Sequence, residues 1–124
     1  MPGNRVYLYQ TDDKGDYAPE ADRPGAGAEN PRLFAYVRTD AEGRATIRTI
    51  LAGPYRGTRV TRHMHLHISR AMATAYGTAI YFDTDPPPDE ELRQDAARGR
   101  VVVAPLEKVE MAQRARAKIP VPRE

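Results

Sequence analysis

The feature that most constrains this chain is a run of alternating histidine and apolar residues, His63-Met64-His65-Leu66-His67, which contains all three histidines of the 124-residue sequence. A β-strand directs the side chains at i, i+2 and i+4 to one face, so the three imidazoles would project together while Met64 and Leu66 face a core. Two imidazoles spaced in this way can bind one metal ion. The other interpretation is a solvated polar face that is rich in histidine.

Composition limits both the class of protein and its chemistry. The length fits one domain over residues 1–124. The 19 basic and 17 acidic residues nearly balance and form no dense basic stripe, so nucleic acid is not expected as a partner. The absence of cysteine excludes disulfides and thiolate sites, and any metal must be held by nitrogen and oxygen ligands. Without a stretch of ~20 apolar residues or a secretory signal, the sequence predicts a cytoplasmic protein with no membrane partner.

Several short β-rich segments with turn signals between them predict an all-β fold, an antiparallel or mixed sandwich or barrel. In chain order the predicted strands are Arg5–Gln10, Leu33–Arg38, Arg44–Ile50, Arg62–Ser69, Thr78–Phe82 and Arg100–Ala104. Thr39–Gly43 would join the second and third strands as a hairpin. Thr11–Gly15 is predicted to be a turn, and Ala18–Pro31 an irregular loop.

One short helix is predicted over Asp89–Ala97, because this segment has good helix formers, acidic residues in its first turn, and Gly99 just past its end. The preceding Asp85–Pro88 stops any regular element. The segment Glu107–Lys118 is ambiguous between strand and helix.

Two tyrosines directly follow tight glycine turns, in Gly15-Asp16-Tyr17 and in Gly53-Pro54-Tyr55. A tyrosine at the mouth of a turn can be presented inward to a site. Taken singly, each is more typical of a boundary tyrosine with a buried ring and a hydrated hydroxyl. Phenolates are hard anionic donors and imidazoles are adaptable neutral ones, so two of each would form a set that suits ferric iron.

Taken in order along the chain, these motifs resemble those of the intradiol ring-cleavage dioxygenases, non-haem ferric enzymes that cleave catechols between the two hydroxyls. The resemblance covers about Val6–Pro86. Tyr7–Tyr17 is similar to the strand and turn that bear the family's first tyrosine ligand, and Thr39–Tyr55 to the "TD…G…RTI…GPY" run that bears the second. Arg62–His67 matches Arg-x-x-His-x-His, and Thr78–Pro86 resembles the strand that follows.

The resemblance implies a single β-sandwich domain of the prealbumin-like type, with its motif-bearing core over residues 6–86. It implies Fe(III) as the cofactor, held by Tyr17, Tyr55, His65 and His67, with His63 outside the ligand set. Tyr55 would also take up a proton from the substrate. By the same resemblance Arg62 would stabilise negative charge on the substrate ring, whereas the residues alone favour a surface arginine.

The implied activity is cleavage of a catechol-type ring with O2 to give a muconate-type diacid, with a small aromatic diol and O2 as partners and a homodimer left open. Two departures count against turnover: Ala79 stands where the family usually has Gln, and the N-terminal helical segment of larger members is not matched. They support a second interpretation, a non-catalytic metal- or small-ligand-binding sandwich. A third is a transthyretin-like interaction module with a vacant or zinc-occupied site.

Overall fold

The structure is a computed structural model that describes residues 4–18, 26–55, 57–69, 76–109 and 112–119. These residues form six strands and one helix: β1 (Arg5–Gln10), β2 (Leu33–Arg38), β3 (His63–Ser69), β4 (Tyr76–Asp83), α1 (Glu90–Ala97), β5 (Val102–Val109) and β6 (Ala112–Ala115). The strands build one curled, mixed sheet in the order β2-β1-β3-β4-β5-β6. The predicted mainly β fold with one short helix is confirmed at this level.

The histidine strand β3 lies in the interior of the sheet, between β1 and β4, and is antiparallel to both. In this register His65 lies opposite Tyr9 on one side and opposite Ala79 on the other. The neighbouring strands β4 and β5 are parallel, so the chain must cross over between them. Helix α1 lies within that crossover.

Helix α1 begins as the sequence predicts. The Asp89 carboxylate caps it by accepting a 2.8 Å hydrogen bond from the Leu92 amide. Glu90 and Glu91 then place negative charge in its first turn, where it complements the helix dipole. Within the described part of the chain, no helix has the length and apolar character needed to cross a membrane.

The alternating pattern of β1 and β3 divides the sheet into a core face and a site face. Val6, Leu8, Met64, Leu66 and Ile68 are buried together on the core face. The hydrophobic residues that pack against this cluster are Ala35, Val37, Ile47, Tyr76, Ile80, Phe82 and Ile119. The tyrosines of β1 and the histidines of β3 therefore share the opposite face.

The predicted strand over Arg44–Ile50 is wrong, because this segment has no regular secondary structure. Its turn does form: the Asp40 amide donates to the Arg44 carbonyl at 2.8 Å. Within residues 44–50, Ile47 is the one residue that packs against the core cluster. The Ile50 carbonyl accepts a 2.8 Å hydrogen bond from the Gln10 side chain. This segment is thus held by a side-chain hydrogen bond from Gln10 instead of by backbone hydrogen bonds to a neighbouring strand. The predicted hairpin does not form.

The other differences concern element ends. The strand expected at Arg100–Ala104 is β5, which begins at Val102 and continues to Val109. The ambiguous stretch Glu107–Lys118 contains the end of β5 and the short strand β6, with residues 110 and 111 outside the described part. Of the loop expected over Ala18–Pro31, residues 19–25 also lie outside the described part.

The two segments that precede Tyr17 and Tyr55 are braced against each other at Gly53. The Gly53 amide donates to the Asp12 carbonyl at 2.7 Å, and its carbonyl accepts from the Thr11 hydroxyl at 2.8 Å. A Cβ atom at position 53 would lie 2.5 Å from the Asp13 carbonyl oxygen, closer than atoms pack in proteins. Only glycine permits this approach.

We expect Gly53→Ala to lower the free energy of unfolding by about 1–3 kcal/mol, because the backbone of the 12–15 turn must move away. Urea denaturation at neutral pH measures this loss. Gly77→Ala is the matched control, since its nearest neighbour would be the His67 Cε1 atom at an ordinary 3.8 Å. Equal stability of the two variants would contradict the close-packing argument.

Candidate metal centre

The two tyrosines that follow glycine turns meet in space. The Tyr17 and Tyr55 hydroxyl oxygens lie 2.7 Å apart, and their rings pack edge to face with centroids 5.7 Å apart. Tyr17 is 2% exposed, so its hydroxyl depends on this partner. The two hydroxyls are therefore directed at each other.

The turn before Tyr17 is organised by Asp12. Its carboxylate accepts hydrogen bonds from the Lys14 and Asp16 amides, at 2.9 and 3.0 Å, and Gly15 adopts a positive φ of 90°, which glycine tolerates. On the other side, the Tyr55 carbonyl accepts from the Thr58 hydroxyl at 2.7 Å. Each tyrosine is therefore set by a local turn, and Gly53 locks the two turns together.

His63 completes a hydrogen-bonded chain with the two phenols. Its Nδ1 lies 2.8 Å from the Thr61 carbonyl oxygen, and because a carbonyl only accepts, Nδ1 carries the proton. The unprotonated Nε2 therefore points at the Tyr55 hydroxyl, 3.2 Å away. This fixes the order of donation: Tyr17 to Tyr55, and Tyr55 to His63. A backbone carbonyl on Nδ1 is also the usual support of an imidazole that binds metal through Nε2.

His65 lies next to this chain on the same face of β3. Its ring centroid is 4.8 Å from that of His63 and 6.4 Å from that of Tyr17. Burial, and then the positive charge of the neighbouring His63 and His67, lowers the pKa of His65 to about 4. Burial also lowers the pKa of His63, so both rings are neutral at pH 7 and can offer a lone pair.

His67 lies at the outer end of the histidine run. Its side chain is exposed, and its ring centroid is 5.9 Å from those of Tyr7 and Tyr9. The structure thus brings together Tyr17, Tyr55 and His63, with His65 beside them, and places His67 one step further out along β3. Its assignment as a ligand stays a prediction.

Arg62 supports the loops around the site. Its guanidinium donates to the Ala52 carbonyl at 3.0 Å and to the Asp85 carbonyl at 3.3 Å. Ala52 is fully buried, so this bond ties the segment before Tyr55 to the start of β3. The role of Arg62 at a substrate ring stays a prediction.

Sequence reasoning missed two further tyrosines of the cluster. Tyr9 stacks on His65 with ring centroids 4.9 Å apart, and Tyr81 stacks on His63 at 4.7 Å. Tyr9 alternates with core residues along β1, as the histidines do along β3. This common two-residue period could have indicated that Tyr9 lies on the same face as the histidines. Tyr81 gave no such signal, because its place depends on the β3–β4 register.

The donor chemistry fits a cation bound by phenol oxygens and imidazole nitrogens. The described residues include no group of three or more His, Cys, Asp and Glu side chains that could hold an ion. The hydrogen bonds of Tyr55 Oη with Tyr17 Oη and with His63 Nε2, at 2.7 and 3.2 Å, bring two oxygen donors and one nitrogen donor together.

Burial, and then the hydrogen bond with Tyr55, raises the pKa of Tyr17 well above its usual range. Burial likewise raises the pKa of Tyr9 and of Tyr81. The phenol of Tyr17 is therefore neutral until a nearby positive charge favours the phenolate. A multivalent cation at the hydroxyl pair would supply that charge.

Comparison with solved structures identifies the fold. Those that share it include the dioxygenase domain of a dioxygenase–carbohydrate-binding fusion protein from Streptomyces sp. SirexAA-E (TM-score 0.63, 21% identity, 93% of this chain and 65% of that one). A second is 3-chlorocatechol 1,2-dioxygenase from Rhodococcus opacus 1CP (TM-score 0.60, 19% identity, covering 93% of this chain and 50% of that one). A third is an intradiol ring-cleavage dioxygenase from Tetranychus urticae (TM-score 0.64, 21% identity, covering 93% of this chain and 69% of that one).

This protein therefore has the fold of the intradiol ring-cleavage dioxygenases, and the resemblance seen in its sequence is confirmed at that level. The chain spans 50% of the Rhodococcus enzyme and 65% of the Streptomyces domain. No protein-family model and no curated protein matches the sequence.

The buried histidines predict a pH-dependent stability. The pKa of histidine is ordinarily 6.5, and that of His65 in the folded chain is about 4. Between these two pH values the unfolded chain binds a proton at His65 that the folded chain does not. The free energy of unfolding of the metal-free protein should therefore contain the full contribution of the neutral histidines above pH 6.5. It should fall as the pH is lowered toward 4.

Urea denaturation at pH values from 7 to 4 measures this dependence. His65→Gln should make the decline shallower and leave the part due to His63, whereas His67→Gln, which changes an exposed ring, should leave it steep. A wild-type profile without any decline over this range would contradict the assignment of His65 as a buried neutral imidazole.

Proposed function

We propose that this protein is a non-haem, Fe(III)-dependent intradiol dioxygenase. It would cleave a catechol-type ring between the two hydroxyls, with both atoms of one O2 entering a muconate-type diacid. The observation that carries the proposal is the hydrogen-bonded chain Tyr17–Tyr55–His63, built on the fold of the intradiol dioxygenases. The proposal includes the prealbumin-like sandwich as the finer description of that fold.

The proposed iron ligands are Tyr17, Tyr55, His65 and one further imidazole. The 3.2 Å approach of His63 Nε2 to the Tyr55 hydroxyl and its carbonyl-bound Nδ1 favour His63. The resemblance in sequence favours His67, whose ring is exposed and lies beside Tyr7 and Tyr9. The set Tyr17, Tyr55, His65 and His67 is thus the alternative for experiment to distinguish.

Bound Fe(III) would supply the Lewis acidity that holds a deprotonated diol and favours reaction of its ring with O2. The chain would supply the proton acceptor: once a bound cation favours the Tyr55 phenolate, with its own proton released through His63 Nε2, the Tyr55 oxygen beside Tyr17 and His63 would be placed to take up a proton from a diol hydroxyl. The neighbouring rings of Tyr17 and His63 are buried. Arg62 would stabilise negative charge on the ring; its bonds to the Ala52 and Asp85 carbonyls use Nη1 and Nε, so the guanidinium keeps further N–H donors for this role.

One observation favours the non-catalytic alternative. Ala79 lies directly opposite His65 in the β3–β4 register and is 5% exposed. The resemblance expects a Gln at this position, whose amide could hydrogen-bond near the substrate. A methyl group there offers no such donor, so a protein that binds the metal or a small ligand without turnover is the second candidate.

The ligand set is tested by iron binding and colour. Wild-type protein reconstituted with Fe(III) should show a phenolate-to-iron absorption band in the visible range. Tyr17→Phe, which leaves Tyr55 as the one proposed phenolate ligand, should bind iron more weakly and show a weaker band. We expect His63→Gln to weaken iron binding at least tenfold and His67→Gln to leave it within about twofold. Tyr36→Phe, which removes an exposed hydroxyl outside the cluster, is the control. Loss of colour in His67→Gln with retention in His63→Gln would establish the sequence-based set instead.

Turnover is tested by oxygen uptake with catechol. We expect one O2 consumed per catechol and one muconate-type diacid formed, which product mass and ultraviolet absorption verify. Tyr55→Phe should abolish the reaction, since it removes the proposed proton acceptor. Iron-coloured protein that consumes no O2 across a panel of substituted catechols would overturn the enzyme proposal in favour of the binding protein.

A further inference from the structure

An exposed group of aromatic rings leads away from the candidate metal centre along the site face of the sheet. We propose that this aromatic platform, formed by Tyr7, Tyr9, Phe34 and Tyr36, binds the second ring of an extended catechol-type ligand that also carries a negative charge. The proposal rests on the proposed function, because it assumes that the catechol ring itself occupies the metal centre.

The platform is continuous with the centre because of strand register. His65, Tyr9 and Phe34 lie opposite one another across β3, β1 and β2, and Tyr9 stacks on His65 with ring centroids 4.9 Å apart. Its ring is also 5.9 Å from that of Tyr17. A ligand ring that sits beside Tyr17 therefore has the ring of Tyr9 as its next neighbour.

A second row runs parallel to the first and reaches the edge strand β2. There Tyr7 lies opposite His67 on β3 and opposite Tyr36 on β2. Tyr7 stacks on Tyr36 with centroids 4.8 Å apart and on Tyr9 with centroids 5.4 Å apart. These spacings are typical of aromatic pairs, so the rings form one connected surface.

The exposure of these rings increases away from the centre. Tyr7 and Tyr9 are half-buried, whereas Phe34 is 54% and Tyr36 is 75% exposed. On a strand with one face against the core, the outward positions are ordinarily polar. Two large rings at successive outward positions of β2 depart from this pattern, and they leave two aromatic surfaces that a ligand can contact.

The far end of the platform is cationic. Arg5 and Arg38 lie directly opposite each other in the β1–β2 register, one alternation beyond Tyr7 and Tyr36, and both are exposed. Like charges in directly opposite positions destabilise a sheet, and an anion placed between them would relieve that repulsion. This end of the platform therefore selects an anionic group, such as a carboxylate, on the ligand.

The dimensions favour a small molecule over a second copy of this chain. The platform extends over two strand spacings across the sheet and over one two-residue step along the strands. With the width of the rings added, its area is on the order of 200 Å². A stable protein interface needs about 800 Å² on each partner. The patch is thus large enough for one aromatic ring and its substituent and too small to hold a dimer by itself.

The test compares rosmarinic acid, which has two linked catechol rings and a carboxylate, with caffeic acid, which has one catechol ring and a carboxylate. Because either ring of rosmarinic acid can enter the centre, the dependence of its binding on Tyr36 decides the test. Isothermal titration calorimetry under argon, on the protein as purified, measures binding without turnover. We expect rosmarinic acid to bind more tightly. Tyr36→Ala should weaken its binding about threefold to tenfold and change that of caffeic acid by less than twofold.

Two variants control for loss of structure. Tyr36→Phe keeps the ring and should bind rosmarinic acid within about twofold of wild type. Ile50→Ala truncates a side chain that is 50% exposed and lies outside the platform, and it should change neither affinity. Arg38→Gln should weaken rosmarinic acid more than its methyl ester, because the ester lacks the charge.

The proposal is overturned by equal affinities for the two acids, by no measurable binding of rosmarinic acid, or by equal weakening of both in Tyr36→Ala. It is also overturned if sedimentation shows a dimer that Tyr36→Ala dissociates without a change in ligand affinity. Binding of rosmarinic acid that depends on Tyr36, in a protein without oxygen uptake, would instead retain the platform and reject the enzyme.

Discussion

The separation of the two faces of β3 is the constraint on which the rest of this structure depends. Met64 and Leu66 are buried in the core, and because side chains alternate along a strand, this burial forces all three histidines to the other face. A slip of one residue in register would bury the imidazoles among apolar side chains. The hydrophobic core therefore fixes the chemistry of the site face.

What the strand alone does not supply comes from two loops. Tyr17 and Tyr55 reach the histidines because their turns are locked at Gly53, where backbone meets backbone with no space for a side chain. The hydroxyl pair then connects to His63, whose proton on Nδ1 is held by the Thr61 carbonyl. The positions of the two phenols are thus set by backbone contacts of these two loops.

The sequence predicted much of this arrangement. β1 and β2 occupy their predicted ranges, and β3 begins at His63, one residue after the predicted start. Helix α1 is capped by Asp89 as expected. These successes have one cause: alternation, capping and turn residues act over short distances and are visible in the chain.

The failures also have a common cause. Arg44–Ile50 has strand-like composition but no partner strand, and it is anchored by the Gln10 side chain instead. Which two histidines lie nearest the phenols depends on where the Tyr55 loop crosses β3, and local spacing in the run treats His63 and His67 alike. Tyr9 and Tyr81 join the cluster through strand register, which no motif encodes.

By itself, then, the sequence determined the split of the histidine strand into two faces, the turns that present the two tyrosines, and the resemblance to the intradiol dioxygenases. These follow from side-chain alternation and from backbone preferences of single residues. Only the tertiary structure decided that His63 meets Tyr55, that Tyr9 and Tyr81 enclose the site, and that the rings continue to the edge of the sheet. Those contacts join residues far apart in the chain, and packing of the sheet and its loops selects them.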